Sequence, residues 1–338
     1  MKSLNLEVKE IASDIRNMKI RGAGKIARSA ANALLVTARR SKAKKTFELL
    51  RELEASATLL LHTRPTAVSL SNSIRYVMFR ARKVQEANMK LEDSRALIME
   101  AARQFIQNSA NAIERIGEIG ARRIEDGDTI LTHCNSTAAS AVIKKAFSQG
   151  KRFKIFVSET RPRFQGRITA RILSDLGIPT SLIVEGAIRF FMTKIDKVIV
   201  GADAVAANGA VVNKIGTSMV ALAAHESRVL FFVAAETYKF SPETVLGKLV
   251  KIEERDSSEV ISNHERKRLP NVTVRNPAFD VTPPEYVDLI ITERGIIPPQ
   301  AAIMIIQREY GSITAEEIEY QTPQLQTKAS NDTTCRNT

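Results

Sequence analysis

Tryptophan is absent from the 338 residues, and aromatic side chains make up only 5% of them. Proteins that hold single-stranded nucleic acid stack bases on such rings, so no base-stacking platform is expected. Cysteine occurs only twice, at Cys134 and Cys335, which excludes a disulfide framework. With four histidines and no Cys/His cluster, the chain offers no zinc ligand set, and no metal or other cofactor is expected. No apolar run is long enough to span a bilayer. The opening stretch MKSLNLEVKEIASDIRNMKI lacks the apolar centre of a signal peptide and carries acidic residues foreign to a transit peptide. Together these absences predict a cytoplasmic protein with no membrane partner.

What the chain does have is positive charge. Fifty Lys and Arg against 37 Asp and Glu leave a net charge of +13. A basic surface attracts polyanions in general, whether nucleic acid or a small substrate with several phosphates. The run ARRSKAKK (38–45) reads as the solvated end of a helix, so a nucleic-acid partner is not expected. Composition is otherwise that of an ordinary globular protein, long enough for two domains.

The first third reads as helical. VKEIASDIRNM and GKIARSAANALLVTARR repeat apolar residues at three- and four-residue spacing. DSRALIMEAARQFIQNSANAIERIGEIGARRI predicts a long helix, with Asp93 as N-cap and Gly117 and Gly120 near a break before EDGD. After about residue 127 short β-branched runs take over: TILTHC, KIFVSE, TSLIV, KVIVGAD, VLFFVAAE and VDLIITE. Between them lie helical stretches such as TAASAVIKKAFSQG and GRITARILSDLG. Continuous apolar strands alternating with amphipathic helices indicate a parallel sheet covered on both faces. The expectation is an α/β protein, with a helical domain over residues 1–120 and a doubly wound parallel sheet over 121–320. Residues 321–338 are polar and aperiodic and predict a disordered tail, which leaves Cys335 without a role.

In such sheets ligands bind beyond the carboxyl ends of the strands. Cys134, Asp203, Glu159, Arg161 and Glu236 all fall at predicted strand ends. Cys134 precedes a helix start at Ser136 and Thr137, where the dipole favours a thiolate; a buried, inert thiol fits that stretch equally well. Asp203 follows the apolar VIVG, where desolvation can keep a carboxyl protonated, although a cap for the next turn is the commoner use. NGAVVNKIGT predicts a turn, a short extended run and a helix starting near Asn213, with Asn213, Lys214 and the following amides able to hold a phosphate. RGAGKI offers a second anion site at Arg21, Gly22 and Gly24, without the spacing of a P-loop. Arg64, held before Pro65, reads alone as a surface charge.

Taken together, RGAGKIARSAA, TRPTAVSL, THCNS, ETRPRFQGRITA, VGADAVAANGAVVNKIGT, AAETYKF and NPAFDVTPPEYVDLIITERGI resemble the aldose-phosphate isomerases related to the regulatory subunits of the translation-initiation guanine-nucleotide exchange factor. The likeness spans residues 5 to 315. RGAGKI is more similar to the branch acting on ribose 1,5-bisphosphate than to the methylthioribose-1-phosphate branch, whose stretch usually reads RGAPAIG. The exchange-factor subunits share the fold but generally lack the catalytic Cys and Asp together.

The resemblance implies a Rossmann-like C-terminal domain and a homohexamer built from dimers, acting in ribose salvage from nucleoside monophosphates. It implies Cys134 as catalytic base and protonated Asp203 as acid. It implies substrate contacts from Arg21, Gly22, Ala23, Gly24, Arg64, Ser136, Thr137, Ala138, Asn213, Lys214 and Lys239. Members often carry Lys where this chain has Thr137, so a phosphate contact there becomes a hydroxyl or is lost.

Overall fold

Helical periodicity and apolar strands place the elements; packing decides where they meet. The computed structural model describes residues 4–310, and the predicted tail with Cys335 lies outside them. Helices α1 (Leu6–Arg16), α2 (Ala23–Arg40), α3 (Thr46–Leu61), α4 (Val68–Glu86) and α5 (Leu91–Ala121) come first. Their apolar stripes, including Ile15, Ile26, Leu34, Leu53, Leu60, Leu70 and Ile98, close on one another as a single core. Lys90 is the N-cap of α5, so Asp93 sits inside the first turn, where its charge complements the dipole but does not cap.

Helix α5 has 31 residues, a rod of about 46 Å at 1.5 Å per residue. Ile98 and Phe105 pack in the helical core, while Ile116 and Ala121 pack against the sheet. The same rod therefore ties both layers together. It ends at Ala121, so the break before EDGD falls where expected, and Gly117 and Gly120 lie within its last turns. A Cβ on Gly120 would lie 2.5 Å from Val142 Cγ2, and one on Gly117 3.0 Å from the Ala141 carbonyl oxygen. They are there to let the next helix approach.

The remaining elements are β1 (Thr129–Thr132), α6 (Thr137–Ser148), β2 (Lys154–Ser158), α7 (Gln165–Asp175), β3 (Thr180–Ile183), α8 (Ile188–Phe191), β4 (Lys197–Gly201), β5 (Ala204–Val205), β6 (Val211–Lys214), α9 (Thr217–Glu226), β7 (Leu230–Ala234), α10 (Asn263–Lys267), β8 (Phe279–Thr282), β9 (Leu289–Thr292), β10 (Gly295–Ile297) and α11 (Ala302–Tyr310). Seven strands form one sheet in the order β10-β9-β7-β4-β1-β2-β3. All pairs are parallel except β10 with β9. Each predicted strand contributes to it. Both faces are covered: Leu131, Val198, Val200, Phe231 and Val233 face one core, and Ile130, Ile199, Phe232 and Ala234 the other. That is why these strands read as unbroken apolar runs.

The chain runs outward from β1 through β2 to β3, then returns to β4 on the other side of β1. The crevice between β1 and β4 is the switch point, the favoured place for a ligand. A small antiparallel sheet, β5-β6-β8, lies beyond it. Its strand β6 corrects the expectation for Asn213. Asn213 and Lys214 pair with Asp280 and Phe279 of β8, and the helix begins only at Thr217.

Gly166 marks the tightest backbone approach, since a Cβ there would stand 1.7 Å from the Ser158 carbonyl oxygen. Gly186 has nothing within 4 Å of its Cβ position. Gly166→Ala should therefore cost at least about 3 kcal/mol in urea unfolding, and Gly186→Ala less than about 0.5 kcal/mol. Equal stability of the two variants would show that the loop before α7 yields freely.

Candidate active site

A cavity of about 450 Å³ opens over the carboxyl ends of β1 and β4. The helical layer supplies one wall. Gly22, at φ +82°, turns the chain into α2 and caps it without a side chain. A residue with a Cβ would be strained there. The first amides of α2 then face the cavity beside Arg21, Ala23 and Gly24. Gly24 must also be small: its Cβ would meet the Tyr238 hydroxyl at 3.0 Å and Arg28 at 3.3 Å. Arg64, on the turn after α3, reaches the cavity with its guanidinium paired to Glu253.

The sheet supplies the floor. Cys134 follows β1 at φ +68°, its amide donating to Thr160 Oγ1 at 2.9 Å and its carbonyl accepting from Thr169 Oγ1 at 2.8 Å. Beneath it His133 is buried between Ser158 Oγ at 2.6 Å and the Ile215 carbonyl at 2.9 Å. Burial holds the imidazole well below its ordinary value of 6.5, at about 4. A neutral ring that donates to Ile215 and accepts from Ser158 satisfies both nitrogens. His133 thereby pins the β6–α9 turn against the end of β1. Ser136 caps α6 by accepting from the Ala139 amide at 3.2 Å. A Cβ on Gly201 would sit 2.2 Å from Ser136 Oγ, so only glycine lets α6 start this close to β4. Asp203 follows two residues later, at the cavity.

Its own stretch of sequence leaves Cys134 open between a dipole-favoured thiolate and a buried, inert thiol. In the structure burial dominates and pushes the thiol up to about 11, with the Asp203 carboxylate adding to the rise. Lys214, the Asn135 amide and Arg255 oppose it. The resting thiol keeps its proton at neutral pH.

The third wall comes from β6, from residues 236–239 after β7, and from residues 250–255. Lys214 Nζ donates to the Ala278 carbonyl at 2.9 Å and lies 4.8 Å from the centre of the Phe279 ring. Burial, then Arg255, holds its pKa below the usual lysine value. Asn213 donates to Thr217 Oγ1 at 3.0 Å. Lys239 Nζ is 2.6 Å from Glu236 Oε2, an ion pair sealed from solvent.

Twelve of the thirteen predicted site residues line this cavity. The exception is Ala138, whose side chain is in the core under the first turn of α6 and can offer only its amide. The expected phosphate cradle at the start of α9 is also corrected. Asp280 Oδ2 already accepts from the Gly216 and Ser218 amides at 2.7 and 3.1 Å. Glu159 and Arg161 do not reach the cavity: Glu159 pairs with Arg167, and Arg161 stacks on Phe164. Arg163 and Gln165 of the same loop face it instead. Arg28, Lys251, Arg255 and Glu236 are among the further lining residues. Glu236 was expected at the end of its strand, and Arg28 carried a legible signal one turn beyond the RGAG stretch; Lys251 and Arg255 depend on loop paths that spacing does not reveal.

A parallel sheet with a crevice at its switch point, roofed by helices and lined by cations around a thiol and a carboxylate, makes an α/β protein with a site suited to an anionic ligand. Residues 19–299 match the Initiation factor 2 subunit family, and the chain belongs to it. The ribose 1,5-bisphosphate isomerase of Pyrococcus furiosus is 58% identical over 306 residues, which cover 90% of this chain and 94% of that one. Two solved structures from Pyrococcus horikoshii OT3 share the fold. Translation initiation factor eIF-2B superposes at a TM-score of 0.75 with 32% identity, covering 89% of this chain and 100% of that one. 5-Methylthioribose 1-phosphate isomerase superposes at 0.71 with 33% identity, covering 89% and 88%.

The buried imidazole makes a pH prediction. His133 has a folded-state pKa of about 4, below the ordinary 6.5. Its contribution is present above pH 6.5 and is lost as pH falls toward 4, by an amount on the order of 3 kcal/mol. His133→Gln keeps a donor and an acceptor but does not titrate, so its urea midpoint should vary less across this range. Parallel midpoint curves for the two proteins would count against a buried neutral His133.

Proposed function

We propose that the protein is an isomerase converting ribose 1,5-bisphosphate to ribulose 1,5-bisphosphate. One observation carries this reading: ten Lys and Arg line the cavity against two carboxylates, Asp203 and Glu236, with cations on opposite walls. A ligand with two phosphates matches that array. A methylthio substituent would leave one basic wall unpaired. The 58% identity to an isomerase of that name supports the reading.

The chemistry follows from the substrate. Its C1 oxygen carries a phosphate, so no free aldehyde forms. A base must remove the C2 proton while the C1–ring oxygen bond breaks and an acid protonates the ring oxygen. The phospho-enol then takes a proton at C1 and gives up the one on its 2-hydroxyl. Cys134 is the base and Asp203 the acid. In the reactive form Cys134 is the thiolate and Asp203 carries the proton. Neutralising Asp203 removes the like charge that raises the thiol, and Lys214 favours the thiolate. Cys134 then carries the proton from C2 to C1, while Asp203 gives one to the ring oxygen and recovers one from the 2-hydroxyl. Each assisted transfer contributes roughly 10²–10⁴ in rate.

Arg21, Gly22, Ala23, Gly24 and Arg64 hold one phosphate. Ser136, Asn213, Lys214 and Lys239 hold the other, with Thr137 adding a hydroxyl and Ala138 an amide. Orientation between two fixed anions supplies much of the remaining rate. On the same reading the protein is a cytoplasmic homohexamer built from dimers, acting in ribose salvage from nucleoside monophosphates. The helical unit ending near residue 120 carries one clamp and the sheet unit the chemistry. Apolar side chains at the β3 edge, Leu182, Val184 and the 73% exposed Phe190, support an interface between copies. A monomer in light scattering at micromolar concentration would argue against the assembly.

Purified protein should convert ribose 1,5-bisphosphate faster than ribose 5-phosphate or methylthioribose 1-phosphate. Faster turnover of a monophosphate would sink the reading. Cys134→Ser and Asp203→Asn should each lower kcat at least about 100-fold, with phosphate binding kept, and the double variant should be little worse. Substrate deuterated at C2 should turn over more slowly. Near-normal kcat in Cys134→Ser would return Cys134 to a structural role.

A further inference from the structure

Between Gly247 and β8 the chain makes a long excursion that rejoins the small sheet. Its residues 253–255 run extended beside 276–278, held by the Ala278 amide on the Glu253 carbonyl at 2.8 Å and the Arg255 amide on the Asn276 carbonyl at 2.9 Å. Alternate side chains of an extended strand point opposite ways. Glu254 points outward, in a two-pronged pair with Arg275 at 2.5 and 2.6 Å. Glu253 and Arg255 point inward. Arg255 lines the cavity with a side chain 11% exposed, and its guanidinium lies 5.7 Å from the centre of the Phe279 ring.

Glu253 touches two guanidiniums at once. One oxygen takes Arg255 Nε at 3.2 Å and the other takes Arg64 Nη2. Arg64 comes from the helical layer and is itself only 10% exposed. Burial alone would raise the Glu253 carboxyl, but Arg64 and then Arg255 outweigh it and hold it below its ordinary value. Among the described residues, neither terminal nitrogen of Arg255 has a protein acceptor. A guanidinium presents five donors, so Glu253 orients both arginines while leaving donors free toward the cavity.

We propose that Arg255 is a phosphate ligand of this site, and that Glu253 is a positioning residue that joins Arg64 and Arg255 into one anion clamp across the seam between helices and sheet. The proposal rests on the sugar-bisphosphate reading and adds to it two residues from a segment with no role there. It also gives Arg64 a fixed direction. Without Glu253 two guanidiniums at one wall repel and turn away. With it, both face the same anion.

The test uses the full-length protein and two probes, ribose 1,5-bisphosphate in turnover and inorganic phosphate in calorimetry. Arg255→Met should raise KM for the bisphosphate at least tenfold, with a smaller change in kcat, and weaken phosphate binding by a similar factor. Arg255→Lys should recover part of both losses. Glu253→Gln keeps the shape and removes the charge; it should raise KM at least threefold, and Glu253→Asp should recover part of that. Thermal melting identifies any variant that fails to fold, and Arg255→Gln then replaces Arg255→Met. Unchanged KM and phosphate affinity in folded Arg255 variants would overturn the ligand role, and an unchanged KM in Glu253→Gln the positioning role. A wild-type protein that binds phosphate through Arg255 but does not turn over ribose 1,5-bisphosphate would support the clamp and sink the isomerase reading.

Discussion

Like charges crowd this cavity, and offsetting them is the constraint on which its construction depends. Two cations 4 Å apart near a protein surface repel by about 4 kcal/mol, and ten basic side chains share these walls. The fold answers with carboxylates brought in from distant segments. Glu236 pairs with Lys239, Glu259 with Arg163, and Glu253 with Arg64 and Arg255. Glu253 and Glu259 both belong to the excursion before β8, which makes that segment part of the site's electrostatics. The pairing is incomplete. Lys214 donates to a carbonyl, and burial beside Arg255 lowers its pKa. The positive potential left over favours an anion with several charges.

The same segments that carry the carboxylates also fix the helical layer over the strand ends. Tyr238 is buried in the helical core and packs at 5.5 Å from the Phe105 ring, while its hydroxyl donates to Glu236 at 2.9 Å. Asn72 of α4 donates to the carbonyls of Tyr238 and Phe240 at 2.9 and 2.8 Å. Glu236 and Lys239 are thus gripped from above by α4 and from below by β7. Gly24 allows α2 to settle onto Tyr238, and Gly201 allows α6 to settle onto β4. Packing of this kind places charged groups to within a fraction of an ångström, because buried backbone leaves little slack.

Strands and helices were legible where their signal was local. TILTHC and VLFFVAAE read as buried strands because both faces of a parallel sheet are apolar, and their ends put Cys134 and Glu236 at the right rim. Asn213 was misplaced onto a helix because its true partner, Asp280, lies 67 residues away and pairing at that range leaves no period to read. Asp280 itself was invisible for the same reason, yet it occupies the amides of α9 that looked free for phosphate. Cys134 lies at the strand end where it was expected, while its ionisation stayed open from the sequence, since a dipole can be inferred from a helix start but desolvation cannot. Arg255 hid inside a charged run that resembles a solvated surface. Only the alternation of an extended chain, in for Glu253 and Arg255 and out for Glu254, gives it away.

Fold and chemistry are separable here, and the separation follows from which residues do the holding. His133, bonded to Ser158 and Ile215, keeps the end of β1 against the β6–α9 turn without touching a substrate. Gly201 and Gly166 fix the starts of α6 and α7 by what they lack. None of these contacts requires a thiol at 134 or a carboxylate at 203. A chain could keep all of them, lose both side chains and still fold around the same crevice. Likeness of fold therefore reports on the scaffold, and activity must be argued from side chains. In this chain the scaffold holds Cys134 where Asp203 and Lys214 act on its charge in opposite directions. On the proposed reading, in which Cys134 gives up and regains a proton, that opposition is what sets the balance between thiol and thiolate.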